Sequence, residues 1–360
     1  MSGPEIATAL VIGRDSSRPR LNATGARVSD LPGVLERVLV SALERPPCLV
    51  GFSGGRDSAG VLALAVRAAR RHGLPPPIPA TNRFPGIEAV DETGWQELIV
   101  KHLGVEDWLR IDVTDELDLV GPIAGPLLRR FGVVWPPNSH FLQLLAPHAR
   151  GGTLVTGVGG DELLEPAAPR GARLLAREVR PARGDLRAMA SVLAPRWVRR
   201  RRQRARLTIP EWLRPAVAAN WADEVADLMT DEPLQWGKSV LDGWWRSRAR
   251  LALVQSIAAV TGLQTAVSHP FMHPEVLRAV AGARWRTGFT SRTTAMNILF
   301  GDLLPASVRA RQDKAVFFEP FVNRHSRVFM ETWDGRGVDP ELVDIESLRR
   351  IWREPRVDAR

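Results

Sequence analysis

The sequence has few cysteines, few lysines and no long apolar run, and each shortage excludes a class of protein. Its single cysteine, Cys48, excludes an intrachain disulfide framework and fits a reducing cytoplasm. Because Cys48 lies inside an apolar stretch, we expect a buried structural thiol and not a nucleophile. No apolar run approaches the roughly 20 residues of a membrane span. The N-terminus shows no signal peptide pattern, so we expect a cytoplasmic protein.

The positive charge of the chain is concentrated in one segment. The formal net charge is +9, but residues 166–215 contain fourteen arginines against three acidic residues, so the remainder is slightly acidic. Seven of these arginines lie between Arg196 and Arg206. A basic run without interleaved aromatic residues disfavours nucleic acid and indicates an exposed helix face or a mobile insert. A docking site for an acidic partner or an anionic surface is the alternative.

Apolar stretches that alternate with helical periodicity predict an α/β fold. Strands are predicted at residues 49–52, 78–81, 108–113 and 153–156, with helices at 58–72, 93–103 and 138–149. This alternation is typical of a doubly wound parallel sheet covered by helices on both faces. From about residue 185 the pattern is helical, which predicts a helical C-terminal half.

The chain is predicted to have a short N-terminal part, one large domain and a tail. The apolar stretches Ala7–Ile12 and Leu21–Val28 predict a small hairpin, and Pro32–Leu43 has the spacing of a helix. The predicted boundaries are residues 1–44 for the hairpin and helix, 45–330 for the large domain with an Arg-rich helical insert at about 166–237, and 331–360 for the tail.

A glycine turn joins the first predicted strand to the helix that follows it. Residues 53–58 read Ser-Gly-Gly-Arg-Asp-Ser. The start of a helix offers backbone N–H groups to an anion, and Gly54 and Gly55 let the backbone approach it closely. Asp57 would be repelled by a bare phosphate, so it suggests a bridging cation, with Mg²⁺ as the best match. The spacing differs from the Walker pattern.

A second glycine turn follows the fourth predicted strand, where residues 156–162 read Thr-Gly-Val-Gly-Gly-Asp-Glu. Because the carboxyl ends of parallel strands share one edge of the sheet, Asp161 is placed to share a cation with Asp57. Two such carboxylates would hold Mg²⁺ on a pyrophosphate and neutralise the charge that develops when the α–β bond breaks. Glu162 either joins them as a ligand or caps the next helix.

These turns resemble known motifs, and the order of the motifs resembles a known family. The first turn resembles the PP-loop of enzymes that split ATP into AMP and pyrophosphate. With the second turn, it is similar to the synthetase domain of asparagine synthetases and of their relatives, the β-lactam synthetases and lasso-peptide cyclases. Further segments with family-like patterns are residues 81–92, Pro270-Phe271-Met272-His273, Leu304-Pro305, and Arg311 with Lys314 and Phe317.

The resemblance implies an ATP-dependent ligase that adenylates a carboxylate, releases pyrophosphate and transfers the acyl group to an amine. It implies ATP and Mg²⁺ as cofactors, with Asp57 and Asp161 as metal ligands. Lys314 and Arg311 would be the catalytic residues, since Lys314 would stabilise the α-phosphorus and the oxyanion formed when the amine attacks. The residues implied to bind ATP or pyrophosphate are Gly51, Ser53, Gly54, Gly55, Asp57, Ser58, Asn82, Thr156, Gly157 and Gly160.

Three departures from the family pattern change the expected reaction. Asparagine synthetases carry a glutaminase domain with an N-terminal cysteine. This chain begins Met-Ser and has too few residues ahead of the loop, so we expect no glutaminase. Val158 replaces the glutamate or tyrosine of the relatives and cannot transfer a proton. His273 replaces a carboxylate, although an imidazole titrates near neutrality.

Three functions therefore compete. The first is the ligase, acting on a small-molecule or peptide carboxylate. Its amine donor would be intramolecular or come from another protein, and the Arg-rich segment would hold an acidic leader or carrier. The second is a tRNA-modifying PP-loop enzyme, which shares the first turn but none of the later motifs. The third is a non-catalytic ATP-binding relative. Residues 238–300 are expected to determine substrate selectivity, while Trp244 and Trp245 either line a pocket or simply pack.

Overall fold

A parallel five-stranded sheet lies at the centre of the structure. The computed structural model describes residues 1–165, 170–262, 264–284, 286–313, 315 and 317–353. The strand order is β3-β2-β1-β4-β5, and every neighbouring pair is parallel. The strands are β1 (Cys48–Gly51), β2 (Ile78–Arg83), β3 (Leu109–Asp112), β4 (Thr153–Val155) and β5 (Ala266–Ser268).

Helices connect and cover these strands. In the described residues they are α1 (Gly3–Thr8), α2 (Leu31–Leu43), α3 (Arg56–His72), α4 (Thr93–Leu103), α5 (Ala124–Phe131), α6 (Gly160–Leu164), α7 (Arg170–Leu175), α8 (Asp185–Leu193), α9 (Arg196–Arg204), α10 (Pro215–Thr230), α11 (Trp236–Lys238), α12 (Arg248–Thr261), α13 (Pro274–Ala283), α14 (Arg292–Phe300), α15 (Ala306–Ala310), α16 (Arg324–Thr332) and α17 (Ile345–Arg353). The predicted α/β fold with a doubly wound parallel sheet and a helical C-terminal half is confirmed.

The two faces of the sheet contribute to two apolar cores. Along β1 the side chains alternate, so that Cys48 and Val50 pack with α2, α3, α13 and α14, whereas Leu49 packs on the opposite face with α12. Cys48 is buried, as expected, and its burial raises the pKa of the thiol to about 12. A thiol with so high a pKa is a poor nucleophile.

The order in which successive strands are added to the sheet reverses between β1 and β4. From β1 the strands proceed outward through β2 to β3, and β4 then returns to the other side of β1. In open α/β sheets, ligands bind at such a switch point, outside the carboxyl ends of the strands. Both glycine turns leave the sheet there.

The predicted N-terminal hairpin is wrong. Residues 1–47 contain no strand, and α1 occupies the start of the first apolar stretch. Ser2 and Glu5 form a capping box at the N-terminus of α1, which favours a helix over an extended strand. The apolar residues Ala7, Leu10 and Ile12 pack against Trp212 and Trp221, so their burial does not require a second strand.

Three further elements differ from the sequence prediction. The helix predicted at 138–149 is two short 3₁₀ helices, Ser139–Gln143 and Ala146–Ala149, because Pro147 has no N–H to donate to a longer α-helix. The strand β5 and the helix α5 were not predicted. β5 has three residues and, unlike the equally short β4, is not followed by a glycine turn that would mark it in the sequence.

Helices also occur in the segment predicted as a tail. Within residues 331–353, α17 packs on α16 through Trp333 and Trp352, whose ring centroids lie 5.0 Å apart. Arg350 forms a salt bridge with Glu211 at 2.7 Å, and Leu213 forms an isolated antiparallel β-bridge with Val343. This part of the chain is therefore docked on the segment that precedes α10.

Candidate active site

A cavity of about 420 Å³ opens at the carboxyl edge of the sheet, between the turns that follow β1 and β4. It lies at the switch point, where the fold favours a ligand. The sequence-predicted residues that line it are Gly51, Ser53, Gly55, Asp57, Ser58, Asn82, Thr156, Gly157, Asp161 and Arg311. Gly54 and Gly160 do not line it, although both shape the loops around it.

The first turn is held by its own hydroxyl groups. Ser58 Oγ accepts a hydrogen bond from the backbone N–H of Ser53 at 3.2 Å and donates to the carbonyl of Gly55 at 3.1 Å. Gly55 is the N-cap of α3 and has no side chain with which to cap it. The positive end of this 17-residue helix is thus directed to the cavity.

The start of α4 clamps the first turn from its other side. Gly54 has φ of +90°, and Gln96 donates a hydrogen bond from Nε2 to the carbonyl of Ser53 at 3.0 Å. Glu92 and Arg311 form a buried ion pair beside Gly54. The guanidinium also lies 4.8 Å from the ring of Trp95. Its hydrogen bonds to Glu92 hold the pKa of Arg311 above its usual range.

The second turn fits closely against the first. A Cβ on Gly157 would lie 2.9 Å from the backbone nitrogen of Ser58, and one on Gly160 would overlap the carboxyl group of Asp57. Glycine at these two positions therefore lets the turns meet. Thr156 is buried and shares a hydrogen bond of 2.6 Å with Nδ1 of His269, which fixes the turn to the end of β5.

The guanidinium of Arg292, at the start of α14, lies among three carboxylates that line the cavity. It pairs with Asp57, with Asp161 at 2.8 Å and with Glu165 at 2.6 Å. Burial alone would lower the pKa of Arg292, but the three carboxylates outweigh burial and hold the pKa above its usual range. The two carboxylates predicted to share a cation are thus brought together, with an arginine between them.

The donor set around Asp57 and Asp161 fits a magnesium ion in part. Among the described residues, no group of three His, Cys, Asp or Glu side chains has a metal-binding arrangement. Mg²⁺ is commonly bound by one or two carboxylates together with substrate phosphates and water. Asp57 and Asp161 both line the cavity and match that requirement once phosphate oxygens complete the set.

Part of the cavity wall is apolar and suits an aromatic base. This part includes Phe84, Leu142 and Phe321. Asn82 also lines the cavity, and its Nδ2 donates to the carbonyl of Phe141 at 3.3 Å. Its Oδ1 is buried and accepts no hydrogen bond from the described residues. A buried acceptor without a donor marks a position at which a ligand N–H or O–H is stabilised.

The two departures from the family pattern have different surroundings. Val158 lines the cavity, so the position held by an acidic or phenolic group in the relatives presents only methyl groups here. His273 does not line it, and burial lowers the pKa of His273 below its usual range. At neutral pH, His273 is therefore largely uncharged.

The predicted catalytic pair is only partly described. Lys314 lies outside the described residues, but Asp313 and Ala315, on either side of it, line the cavity. Arg311 lines the cavity with its guanidinium already bonded to Glu92 and Asp313. This geometry favours a positioning role for Arg311.

Two cationic residues of the site were not predicted from the sequence. Arg56 occupies the variable position of the first turn, and its Nη1 is buried with no acceptor among the described residues. Burial, together with the nearby Arg292, lowers the pKa of Arg56. Arg292 follows Ser291, the N-cap of α14, and only that position at a helix start hinted at anion binding.

The sheet, the two glycine turns and the cavity at their switch point, lined by both arginines and carboxylates, define an α/β nucleotide-binding protein. The asparagine synthase family model matches residues 36–360, and the chain belongs to that family. The match covers the synthetase domain, and no glutaminase domain is indicated within these 360 residues. None of the curated proteins matches the chain. Membership makes the protein an ATP-using synthetase.

Proposed function

We propose that this protein is an AMP-forming ligase that joins a carboxylate to an amine. The observation that carries the proposal is the convergence of Arg56, Arg292 and Arg311 with the N-terminus of α3 in one cavity, which is also lined by carboxylates and by aromatic side chains. Such a cavity binds a triphosphate through its charged groups and a purine against its apolar wall. Asn82 Oδ1 would accept a hydrogen bond from the nucleoside.

In the proposed first step, a substrate carboxylate oxygen attacks the α-phosphorus of ATP, and the bond to the β-phosphate oxygen breaks. Pyrophosphate leaves and an acyl-adenylate forms. Arg56 and Arg292 face the phosphates and stabilise the negative charge that moves to the leaving group. Bound Mg²⁺, held by Asp57 and Asp161, would supply further charge neutralisation.

In the proposed second step, the amine nitrogen attacks the acyl carbon, AMP leaves and the nitrogen loses a proton. Val158 cannot accept that proton. By the family resemblance, Lys314 stabilises the oxyanion of this step, while Arg311 holds the first turn in place through Gly54 and Glu92. A small-molecule or peptide carboxylate is the proposed substrate, and the proposed compartment is the cytoplasm. Among the described residues, no helix is both long and apolar enough to cross a bilayer.

A non-catalytic ATP-binding protein is the second candidate. Arg292 lies where a cation between Asp57 and Asp161 would lie, and Val158 removes a proton-transfer group from the wall. On this alternative, Arg292 replaces the metal and the protein binds ATP without cleaving it.

Release of AMP and pyrophosphate by the purified protein distinguishes the two. One reaction contains Mg-ATP with aspartate and ammonium, and a second contains Mg-ATP with a peptide and small-molecule extract of the host. We expect AMP only with the extract. AMP with aspartate and ammonium would identify an ammonia-using asparagine synthetase. ATP binding without AMP in either reaction would support the non-catalytic candidate and overturn the ligase.

A further inference from the structure

The arginines of α9 are divided between two faces of the helix. One face forms ion pairs with α10 and its C-cap, at N···O distances of 2.8–3.1 Å. The arginines are Arg196, Arg200 and Arg204, and their partners are Asp223, Asp227 and Asp231. Exposed pairs of this kind add little stability, but they neutralise each other's charge. These three arginines are therefore engaged within the molecule.

The other face of α9 lines a second cavity of about 360 Å³. Arg199 and Arg202 lie three positions apart on α9, Arg206 lies two residues beyond its end, and none of the three forms a salt bridge with a described carboxylate. Arg199 donates to the carbonyl of Thr230 at 3.1 Å, yet its Nε is buried with no acceptor among the described residues. An unpaired buried guanidinium N–H is costly, so the site favours an added acceptor.

The acidic side chains near this cavity are already occupied. Glu232 lines it, but its carboxylate accepts a hydrogen bond from Ser239 and lies 3.7 Å from Arg14. An adjoining shallow cavity shares Arg199 and Glu232 and adds Asp231 and Lys238. Asp231 is bonded to Arg196.

Part of the remaining wall of the second cavity is apolar. It includes Val192, Met229 and Leu234, with Trp236 at the base. Beside it, α8 exposes Leu186 and Leu193 to the extent of 84% and 66% of their surfaces. These two residues are seven positions apart and so share one face of α8. A ligand that fits the whole surface has negative charges and apolar groups side by side.

We propose that this cavity and the exposed face of α8 bind an acidic peptide segment that carries apolar side chains. Carboxylates accept paired hydrogen bonds from the arginines, and leucine-like side chains fill the apolar walls. A nucleic acid fits less well, because it requires a continuous basic track with stacking aromatic residues. On α9, Trp197 is the large exposed aromatic residue, and three arginines there are neutralised by α10.

The position of the surface relates it to the candidate active site. The ring of Trp236 lies 6.0 Å from that of Phe289, and a Cβ on Gly288 would lie 2.7 Å from Trp236. Three residues further along the chain, Arg292 enters the nucleotide cavity. Resting on the proposed function, the acidic segment belongs to the carboxylate substrate or to its carrier and holds it near the entrance of that cavity.

Peptide binding tests this proposal independently of ligase activity. The probe is a short fluorescein-labelled peptide of glutamate and leucine, followed by fluorescence anisotropy with the full-length protein. The test variant is R202Q/R206Q, and the charge-matched control is R187Q/R201Q, whose exposed arginines lie outside both cavities. Arg199→Gln is measured separately because Arg199 also bonds Thr230. ATP binding by each variant confirms that it is folded.

We expect R202Q/R206Q to weaken peptide binding about tenfold or more and the control to change it less than about threefold, since arginines that become buried on binding are typical hot spots. A peptide with serine in place of leucine should also bind more weakly. Equal losses in the two double variants would reduce the site to general electrostatic attraction. No binding by the wild type, or tighter binding of a single-stranded RNA of matched charge, would also overturn the proposal. Loss of AMP release with peptide binding intact would contradict the ligase function and not this site.

Discussion

At the scale of single residues, the site depends on how charged groups are paired. Asp161 and Glu165 both bond to the same nitrogen of Arg292, and their side chains are similarly exposed, at 56% and 50%. Only Asp161 follows the second glycine turn directly. These two carboxylates therefore form a natural pair of test and control.

We expect Asp161→Asn to lower AMP and pyrophosphate release at least about 100-fold, because it removes a proposed ligand of the Mg²⁺ that neutralises the phosphates. The thermal midpoint should change little, since this carboxylate is half exposed. Glu165→Gln is the control and should retain activity within a few fold. Equal losses in the two variants would show that both act only by holding Arg292. The measurement is a coupled pyrophosphate assay alongside thermal unfolding.

His269 predicts a pH dependence of stability. Burial, with a contribution from Arg250, lowers its pKa from 6.5 to about 4. Between these values the unfolded chain binds a proton that the folded chain does not, so stability from neutral His269 is present above pH 6.5 and is lost as the pH falls towards 4.

The wild type should lose free energy of unfolding between pH 7 and pH 4, and we expect this loss to be smaller in His269→Gln by roughly 2 kcal/mol. The figure uses about 1.4 kcal/mol for each pKa unit and is reduced because His269 is partly exposed. Urea unfolding at a series of pH values measures this. The exposed His148 serves as control, and His148→Gln should leave the pH dependence unchanged. The same slope in wild type and His269→Gln would contradict the assignment.

At the scale of elements, α4 and α14 position the first turn and α3. The first contact is the ion pair of Glu92 with Arg311, which are 219 residues apart in sequence. The second is the packing of Gly60 on Phe300. Each can be changed at one residue and compared with a control substitution.

We expect Glu92→Gln to destabilise the protein by about 3 kcal/mol, because it leaves the buried guanidinium of Arg311 without its charged partner. ATP affinity should fall as well, since the same pair supports Gly54. Asp313→Asn removes the exposed partner of the same arginine and should cost less than about 1 kcal/mol. Urea unfolding and ATP titration measure both. A Glu92→Gln variant as stable as Asp313→Asn would show that the pair does not hold the loop.

Packing of α3 on α14 depends on a glycine. A Cβ on Gly60 would lie 2.6–2.8 Å from the ring of Phe300, which is buried. We expect Gly60→Ala to cost about 1–3 kcal/mol through overpacking. Gly94, near the start of α4, has no atom within 4 Å of its added Cβ, so Gly94→Ala should be neutral or slightly stabilising. If the two alanine variants unfold at the same temperature, the helix contact is looser than described.

At the scale of the whole molecule, arginines line two separate cavities. In one, Arg56, Arg292 and Arg311 face the nucleotide site, and in the other, Arg199, Arg202 and Arg206 face the proposed peptide site. The first cavity also holds carboxylates, among them Asp57 and Asp161, whereas in the second the arginines outnumber the one carboxylate among the described lining residues, that of Glu232.

We expect Mg-ATP to stabilise the folded molecule by about 2.7 kcal/mol when its concentration is 100 times the dissociation constant. AMP at the same concentration should stabilise it far less, because it lacks the phosphates that the start of α3 and the arginines receive. Differential scanning fluorimetry measures both shifts. Equal stabilisation by ATP and AMP would contradict the placement of the β- and γ-phosphates at the first turn.

The sequence by itself determined the elements that build the carboxyl edge of the sheet. β1, the Ser53–Ser58 turn and α3 could be predicted because apolar runs, glycines and helix starts are signals contained within a few neighbouring residues. The same holds for β4 with its turn. It does not hold for the N-terminal segment, where a capping box decided in favour of a helix.

Only the tertiary structure decided which charges meet. Arg292 reaches Asp57 over 235 residues and Asp161 over 131, and no local pattern specifies such a pairing. The arginines of α9 likewise look equivalent in sequence, and packing against α10 separates those that are paired from those that face a cavity. The physical reason is that secondary structure follows from local sequence, whereas ion pairs depend on distances that exist only after the helices pack on the sheet.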